Sequence, residues 1–373
     1  MIYFDNAATG GFKPGRAIRA AETVIKYLSA NPGRSGHRLS ITGANIVYEC
    51  RKVLAKTFGG VAERVAFTKN CTEALNTAIF GTLKKGGKVI TTVYEHNSVL
   101  RPLYALQKQG LISLETVYAP PENLAQAIES KLTQDVYLIV TTSASNVTGD
   151  VMPVNEIGKL AKDHGVLYLV DGAQGAGHVP LSLEKQNIDM LAVAGHKGLC
   201  GVMGSGALIF GENVEVLPLT YGGTGTESFS VDQPSAYPER LESGTLNLPA
   251  IAALKEGAEY AANNLCNFSE TLYAHVEKLI DGLSKINGVK LYSRPNPVGI
   301  VSFSVEGYDS GEVADILDKK YDIAVRGGLH CSPEIHRALK TENGGLIRVS
   351  LAVQNGYTEI AEFLRAVKEI AEK

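Results

Sequence analysis

The sequence predicts a two-domain α/β protein with a mostly parallel sheet. Three observations predict it: a length of 373 residues, short apolar runs alternating with longer amphipathic ones, and a change of pattern in the last third. A chain this long exceeds what one hydrophobic core usually serves. Runs at 65–68, 88–93, 136–142, 166–170, 190–194 and 206–210 are rich in Val, Ile, Leu and Tyr, and several are apolar throughout. That suits strands buried on both faces. Helical patterns at 72–83, 124–132 and 154–164 lie between them, and strand–helix alternation argues for crossover connections in a parallel sheet. Beyond, 250–286 reads as one or two long helices, followed by strands at 299–305, 323–326 and 346–351. A last helix carries an apolar stripe of Tyr357, Ile360, Ala361, Leu364, Val367 and Ala371, so this part is a smaller α/β domain with its own core. The most loop-like region is 222–238. A long irregular connection in a compact enzyme is often functional.

Composition narrows the function classes. Hydrophobic residues make up 45% and charged residues 20%, as in a soluble globular enzyme. A net charge of −3 and a pI near 6.3 give no reason to expect nucleic acid or an anionic membrane as partner. The apolar start Met1-Ile2-Tyr3-Phe4 is too short for a signal peptide, and no run approaches a membrane span, so a cytoplasmic protein is expected. Cys50, Cys71, Cys200, Cys266 and Cys331 are scattered and form no CxxC pair. That argues against a disulfide framework, and no metal site is expected.

Six segments carry candidate chemistry. Asp171 ends a buried strand in Val170-Asp171-Gly172-Ala173-Gln174; it reads either as a turn cap or as a ligand contact at a strand's carboxyl end. Lys197 follows the next strand in Gly195-His196-Lys197-Gly198. Partial desolvation there would lower its pKa for Schiff-base chemistry. Alone it reads as a surface lysine, but an Asp one strand earlier makes the pair that pyridoxal phosphate (PLP) chemistry needs: an amine to bind the aldehyde and a carboxylate to keep the ring nitrogen protonated. Asn70 and Glu73 have capping-box spacing, so a helix beginning near Thr72 offers N–H groups to a phosphate, or is simply capped. His96, after the strand at 88–93, could stack on an aromatic cofactor or merely pack. Cys331 sits near Arg326 in a Gly-rich loop, the setting of a reactive thiolate, and the glycines predict that the loop moves. Arg348 lies in an apolar strand; a substrate carboxylate or a structural ion pair would each offset its burial.

Together these segments resemble the class V aminotransferases, and within them the cysteine desulfurases of the SufS-like group. The likeness runs in order through Tyr3-Phe4-Asp5-Asn6-Ala7-Ala8-Thr9, Gly36-His37-Arg38-Leu39-Ser40, Cys71-Thr72-Glu73, Glu95-His96-Asn97 and Ser145-Asn146-Val147-Thr148-Gly149. It continues through Asp171-Gly172-Ala173-Gln174, Gly195-His196-Lys197, Glu242-Ser243-Gly244-Thr245, 326–331 and Arg348. Each match is weak alone, while the ordered set is specific. The resemblance implies the PLP-dependent transferase fold of type I. In it a large domain at 15–259 carries a mostly parallel seven-stranded sheet, and a small domain combines 1–14 with 260–373. It implies PLP on Lys197, Asp171 at the pyridine nitrogen, Gln174 and Asn146 about the ring hydroxyl, and His96 on the ring. Thr72 and His196 would hold the phosphate, with Thr245 reaching in from the partner of a homodimer. Arg348, with Arg326 and His37, would bind L-cysteine, and Cys331 would take its sulfur as a persulfide for an acceptor protein, as in iron–sulfur cluster assembly. The short approach to Cys331 places it with the compact-loop members. Ala194 stands where many relatives have Ser, and Cys71 where most have Gly or another small residue. A selenocysteine lyase, a C–S lyase or an aminotransferase on the same scaffold are the alternative readings.

Overall fold

The structure, a computed structural model, describes residues 1–372. Its central sheet is built from β2 (Val65–Thr68), β3 (Lys88–Thr92), β4 (Ser113–Val117), β5 (Val136–Thr142), β6 (Leu167–Asp171), β7 (Met190–Ala194) and β8 (Gly206–Phe210), after a short β1 (Ile2–Tyr3) that pairs elsewhere. The order across the sheet is β2-β8-β7-β6-β5-β3-β4. Only β8 runs antiparallel to its neighbours. The fold is thus the α/β arrangement expected, with seven strands. β5, β7 and β8 are buried at every position, which is why their apolar runs stood out. β4, at the sheet edge, has only Val117 buried, so it lacks such a run. β6 ends one residue later than the apolar pattern suggested, so Asp171 is itself a strand residue, opposite Thr142 and Ala192.

Helices α1 (Gly15–Tyr27), α2 (Arg38–Phe58), α3 (Cys71–Gly81), α4 (Asn97–Lys108), α5 (Pro121–Glu129), α6 (Val154–Asp163) and the single turn α7 (Leu183–Gln186) connect or flank these strands. α3 starts because Asn70 accepts the Glu73 N–H, and α4 because His96 accepts the Ser98 N–H. Pro102 inside α4 masked that helix in the sequence.

One long helix, α8 (Leu248–Leu283), joins two cores. Leu248, Ile251, Leu254 and Ala258 pack beneath the large sheet, whereas Leu272, Val276, Leu279 and Leu283 pack with the C-terminal elements. Those are β9 (Val289–Leu291), β10 (Ile300–Val305), β11 (Ile323–Ala324), β12 (Arg326–Gly328), β13 (Leu346–Ser350), and helices α9 (Ser310–Tyr321), α10 (Pro333–Leu339) and α11 (Tyr357–Ala371). The expected strand at 323–326 is split: β11 pairs with β1, while β12 joins the antiparallel sheet β12-β13-β10-β9. The stripe expected on α11 is rotated. Its buried face is Ile360, Phe363, Ala366, Val367 and Ile370, and Tyr357 is exposed. Phe363 decides this by wedging edge-on between Phe4 and Phe303. Among the described residues no helix is long and apolar enough to cross a membrane.

Candidate active site

The carboxyl ends of β2, β3, β5, β6 and β7 meet at one edge of the large sheet, and each ends on or is followed by a polar residue lining one cavity. These are Thr72, His96, Asn146, Asp171 and Lys197, with Gln174 and His196 beside them. This is where an open parallel sheet receives ligands. The Lys197 turn is held by close backbone packing. Gly177, at φ 87°, lies so near Gly198 that a Cβ would come within 2.2 Å of the Gly198 carbonyl oxygen, so a side chain there would push the turn away.

Asp171 is buried. Its Oδ1 accepts the Ala173 N–H at 2.9 Å and the Cys71 thiol at 3.3 Å, while Oδ2 has no protein partner among the described residues. Burial pushes its carboxyl up, against those hydrogen bonds and the Lys197 charge. Burial also pushes the Lys197 ammonium down, with Asp171 opposing and Arg348 adding to the depression. Lys197 Nζ makes no hydrogen bond to the described residues. Cys71 therefore has a contact that its small counterparts could not make.

His196 points Nδ1 at the Thr9 hydroxyl, 3.1 Å away, and burial with Lys197 and Lys13 brings its pKa down to about 4. Gln174 donates from Nε2 to the Ala7 carbonyl at 3.1 Å. Thr72 and His96 are both tied to Ser98, whose Oγ lies 2.7 Å from Thr72 Oγ1 and 2.8 Å from His96 Nδ1. Sequence reasoning passed over Ser98. The available signal was a hydroxyl two residues after a helix-capping His.

Glu95, beside His96, had no assigned role. It is fully buried, with Oε1 accepting from Thr92 Oγ1 (2.6 Å) and Thr142 N–H (3.0 Å) and Oε2 unpartnered. Burial, with the Asp171 charge adding, lifts its carboxyl from 4.5 to about 8. A raised folded pKa means that its stabilising contribution is full below the unfolded value and is lost as pH rises through the folded one. Glu95→Gln keeps both acceptor bonds and cannot ionise. Its melting temperature should therefore gain on wild type between about pH 5 and pH 8; a constant gap would show that Glu95 does not titrate there.

Cys331 is exposed, and Arg326 Nη2 reaches its sulfur at 3.9 Å. The expected mobility of its loop is not what the structure shows. Asn146 Nδ2 donates to the His330 carbonyl (2.8 Å), Asn146 Oδ1 accepts from Ser332 Oγ (2.7 Å), and the Asn97 N–H bonds the Cys331 carbonyl (2.7 Å). His330 and Cys331 have φ of 50° and 59°, left-handed values that cost a non-glycine residue roughly 1 kcal/mol or more, and these bonds hold them there. Each polar atom of Asn146 makes one bond to this clamp, which leaves one Nδ2 hydrogen and one Oδ1 lone pair for a ligand.

Arg348 is buried to 1% exposure. Nη2 pairs with Asp5 at 2.9 Å and Nη1 donates to the Asn146 carbonyl at 3.1 Å, but Nε is buried without a partner. The ion-pair reading is thus realised without using up the guanidinium. β12–β13 register also sets Arg326 directly across from Arg348, and like charges in that position repel. Two guanidinium groups against the single carboxylate of Asp5 leave one positive charge for an anion. Arg348 senses the Cys331 thiol and acts on Lys197, so it stands between them electrostatically. Within one chain, neither His37 nor Thr245 joins the cluster. His37 is exposed and caps α2, accepting the Ser40 N–H at 3.3 Å, and Thr245 is exposed beside Asn31.

The cavity fits PLP on its own chemistry: an amine without a protein bond, a buried carboxylate with a free oxygen, and the first N–H groups of α3 next to Thr72. Comparison with known proteins agrees. The family described as Aminotransferase class-V, whose members use PLP, matches residues 2–363. A probable cysteine desulfurase of Pyrococcus abyssi is 33% identical over 99% of this chain and 94% of its own length. The cysteine desulfurase IscS of Methanosarcina thermophila is 29% identical over 100% of this chain and 92% of its own. The apo structure of a cysteine desulfurase from Thermococcus onnurineus NA1 superposes with a TM-score of 0.92 at 33% identity, covering 100% of this chain and 94% of that one. With a cavity built for its cofactor and a match along nearly its whole length, the chain belongs to the class-V aminotransferase family.

Proposed function

We propose that the protein is a PLP-dependent cysteine desulfurase that converts L-cysteine to L-alanine and holds the released sulfur on Cys331 as a persulfide. The observation that carries this reading is the placement of Cys331. Its thiol is exposed beside Arg326 on a clamped, left-handed loop, and that loop is bonded to Asn146, which lines the cavity holding Lys197 and Asp171. A transaminase has no use for a thiol there.

PLP, held by the Lys197 amine, supplies an electron sink for the substrate α-carbon. Asp171, whose Oδ2 has no partner among the described residues, would hold the ring nitrogen and keep it protonated. Thr72 and His196, with Thr245 of a second subunit, would hold the phosphate, and Gln174 and His96 would hold the ring. Arg348, with Arg326 and with His37 from the second subunit, fixes the substrate carboxylate. Lys197 Nζ takes the α-proton, which the depressed pKa of its ammonium favours. Cys331 Sγ then attacks the substrate sulfur. The new S–S bond forms as the Cβ–S bond breaks, leaving alanine and a persulfide.

The active unit is a homodimer on this reading, supported by His37 and Thr245 lying outside the one-chain cluster and by fully exposed Phe229 and Val231 in the loop before Thr245. The domain division is 15–259 against 1–14 with 260–373, supported by the change of core along α8. A cytoplasmic setting is supported by five unpaired cysteines. An acceptor protein then takes the sulfur.

Incubation of the purified protein with L-cysteine should yield alanine and add one sulfur mass to the Cys331 peptide. A keto-acid product, or alanine with no label on Cys331, would overturn the reading. Arg348→Lys keeps the charge and loses the fork, so KM for L-cysteine should rise roughly 10- to 100-fold. An unchanged KM would remove Arg348 from substrate binding.

A further inference from the structure

We propose that Ser98 is a positioning residue that locks His96 as the Nε2-protonated neutral imidazole, so that His96 meets its ligands as a hydrogen-bond donor and cannot serve as their base. The geometry needs no assumption about unseen protons. The backbone N–H of Ser98 can only donate, and it lies 3.0 Å from His96 Nδ1. A ring nitrogen that accepts carries no proton, so in a neutral ring the proton is on Nε2. The Ser98 hydroxyl, 2.8 Å from the same Nδ1, then donates to it as well, and accepts in turn from Thr72 Oγ1 at 2.7 Å. The order Thr72 to Ser98 to His96 is the one consistent direction for this chain of hydroxyl protons. Nε2 bonds no described residue, while the ring lines the cavity with Lys197 and Asp171.

The charges around the ring act the same way. After burial, Lys197, Arg326, Arg348 and Arg101 each disfavour the imidazolium, and the His96 pKa falls to about 4. The neighbouring Glu95 does not offset them, since burial holds its carboxyl toward the neutral form and its bonded oxygen is turned to Thr92 and Thr142. With Nδ1 occupied by two donors and Nε2 already protonated, His96 has no site for a substrate proton. Proton removal falls to Lys197, and the imidazole N–H is left to hold a lone pair in the cavity. The purpose of that donor rests on the desulfurase reading; the tautomer does not.

The test is long-range proton–nitrogen spectroscopy of the holoenzyme with nitrogen-15 histidine, His96 being assigned with His96→Gln. In wild type, Nδ1 should be unprotonated and Nε2 protonated throughout about pH 6 to 8. Ser98→Ala should move the His96 titration up by about one pH unit, the loss of one hydrogen bond to the neutral ring, and Ser98→Thr should restore it. A protonated Nδ1 in wild type, or an Ser98→Ala protein with the wild-type titration, overturns the proposal. If Ser98→Ala fails to fold, Thr72→Val removes the far end of the chain and must give a smaller shift of the same sign. A protein with the expected tautomer but no alanine production would keep this inference and lose the functional reading.

Discussion

Lys197→Ala is expected to remove turnover of L-cysteine by at least ~10⁴-fold, because one atom is asked to do two jobs. Among the described residues lining the cavity, Nζ is the only amine, serving both to hold the cofactor's aldehyde and to accept the α-proton. The variant should still fold. Lys197 makes no side-chain hydrogen bond to the described residues, so its loss breaks no network among them, and the carboxyl it faces is already pushed toward neutrality by burial. The measurement is alanine formation together with the visible absorbance of the bound cofactor, which should lose its lysine-linked band. Full turnover in Lys197→Ala would sink the assignment of the cavity. The pH dependence has a definite sign: because burial pushes the ammonium down, the free amine should be available at a lower pH than for a lysine in water. Removing Arg348, which adds to that depression, should move the activity's acid limb to higher pH.

Cys331→Ser is expected to cut alanine formation by roughly 10³-fold or more while cofactor content stays unchanged, since a hydroxyl at neutral pH does not replace a thiolate nucleophile. The separation of the two readouts follows from the structure. The loop carrying Cys331 is attached to the cavity by the Asn146 clamp and the Asn97 N–H, both of which leave the side chain at 331 unused. Serine fits the same exposed position, so the cofactor site should not notice the change. Retained alanine formation would remove Cys331 as the sulfur acceptor, whereas pyruvate and sulfide in place of alanine would turn the reading into that of a C–S lyase, which needs no acceptor on the protein. A clamped loop also changes what delivery of sulfur requires. The persulfide is presented at the surface in a fixed place, so the acceptor comes to it.

The readable parts of the fold share one cause. β5, β7 and β8 are buried on both faces, so their residues are apolar in unbroken runs. Asp171 and Lys197 follow such runs as abrupt polar interruptions and were visible for that reason. β4 has one exposed edge, α4 holds a proline, and α11 presents several apolar residues to solvent, so their patterns were diluted. Phe363 rather than Tyr357 is inside because Phe4 and Phe303, far away in sequence, offer it aromatic edges.

By itself the sequence determined the chemistry on offer. It shows a lysine and an aspartate at neighbouring strand ends, a cysteine among glycines and an arginine inside an apolar strand, because each residue type breaks a local pattern that physical chemistry otherwise enforces. Only the tertiary structure decided how these groups constrain one another. β12–β13 register sets Arg326 across from Arg348, Asp5 takes one arm of Arg348, Asn146 holds the Cys331 loop, and Ser98 joins Thr72 to His96. Apart from the Ser98–His96 contact, which spans two residues, these contacts join residues tens to hundreds apart in the chain, and no local spacing encodes them.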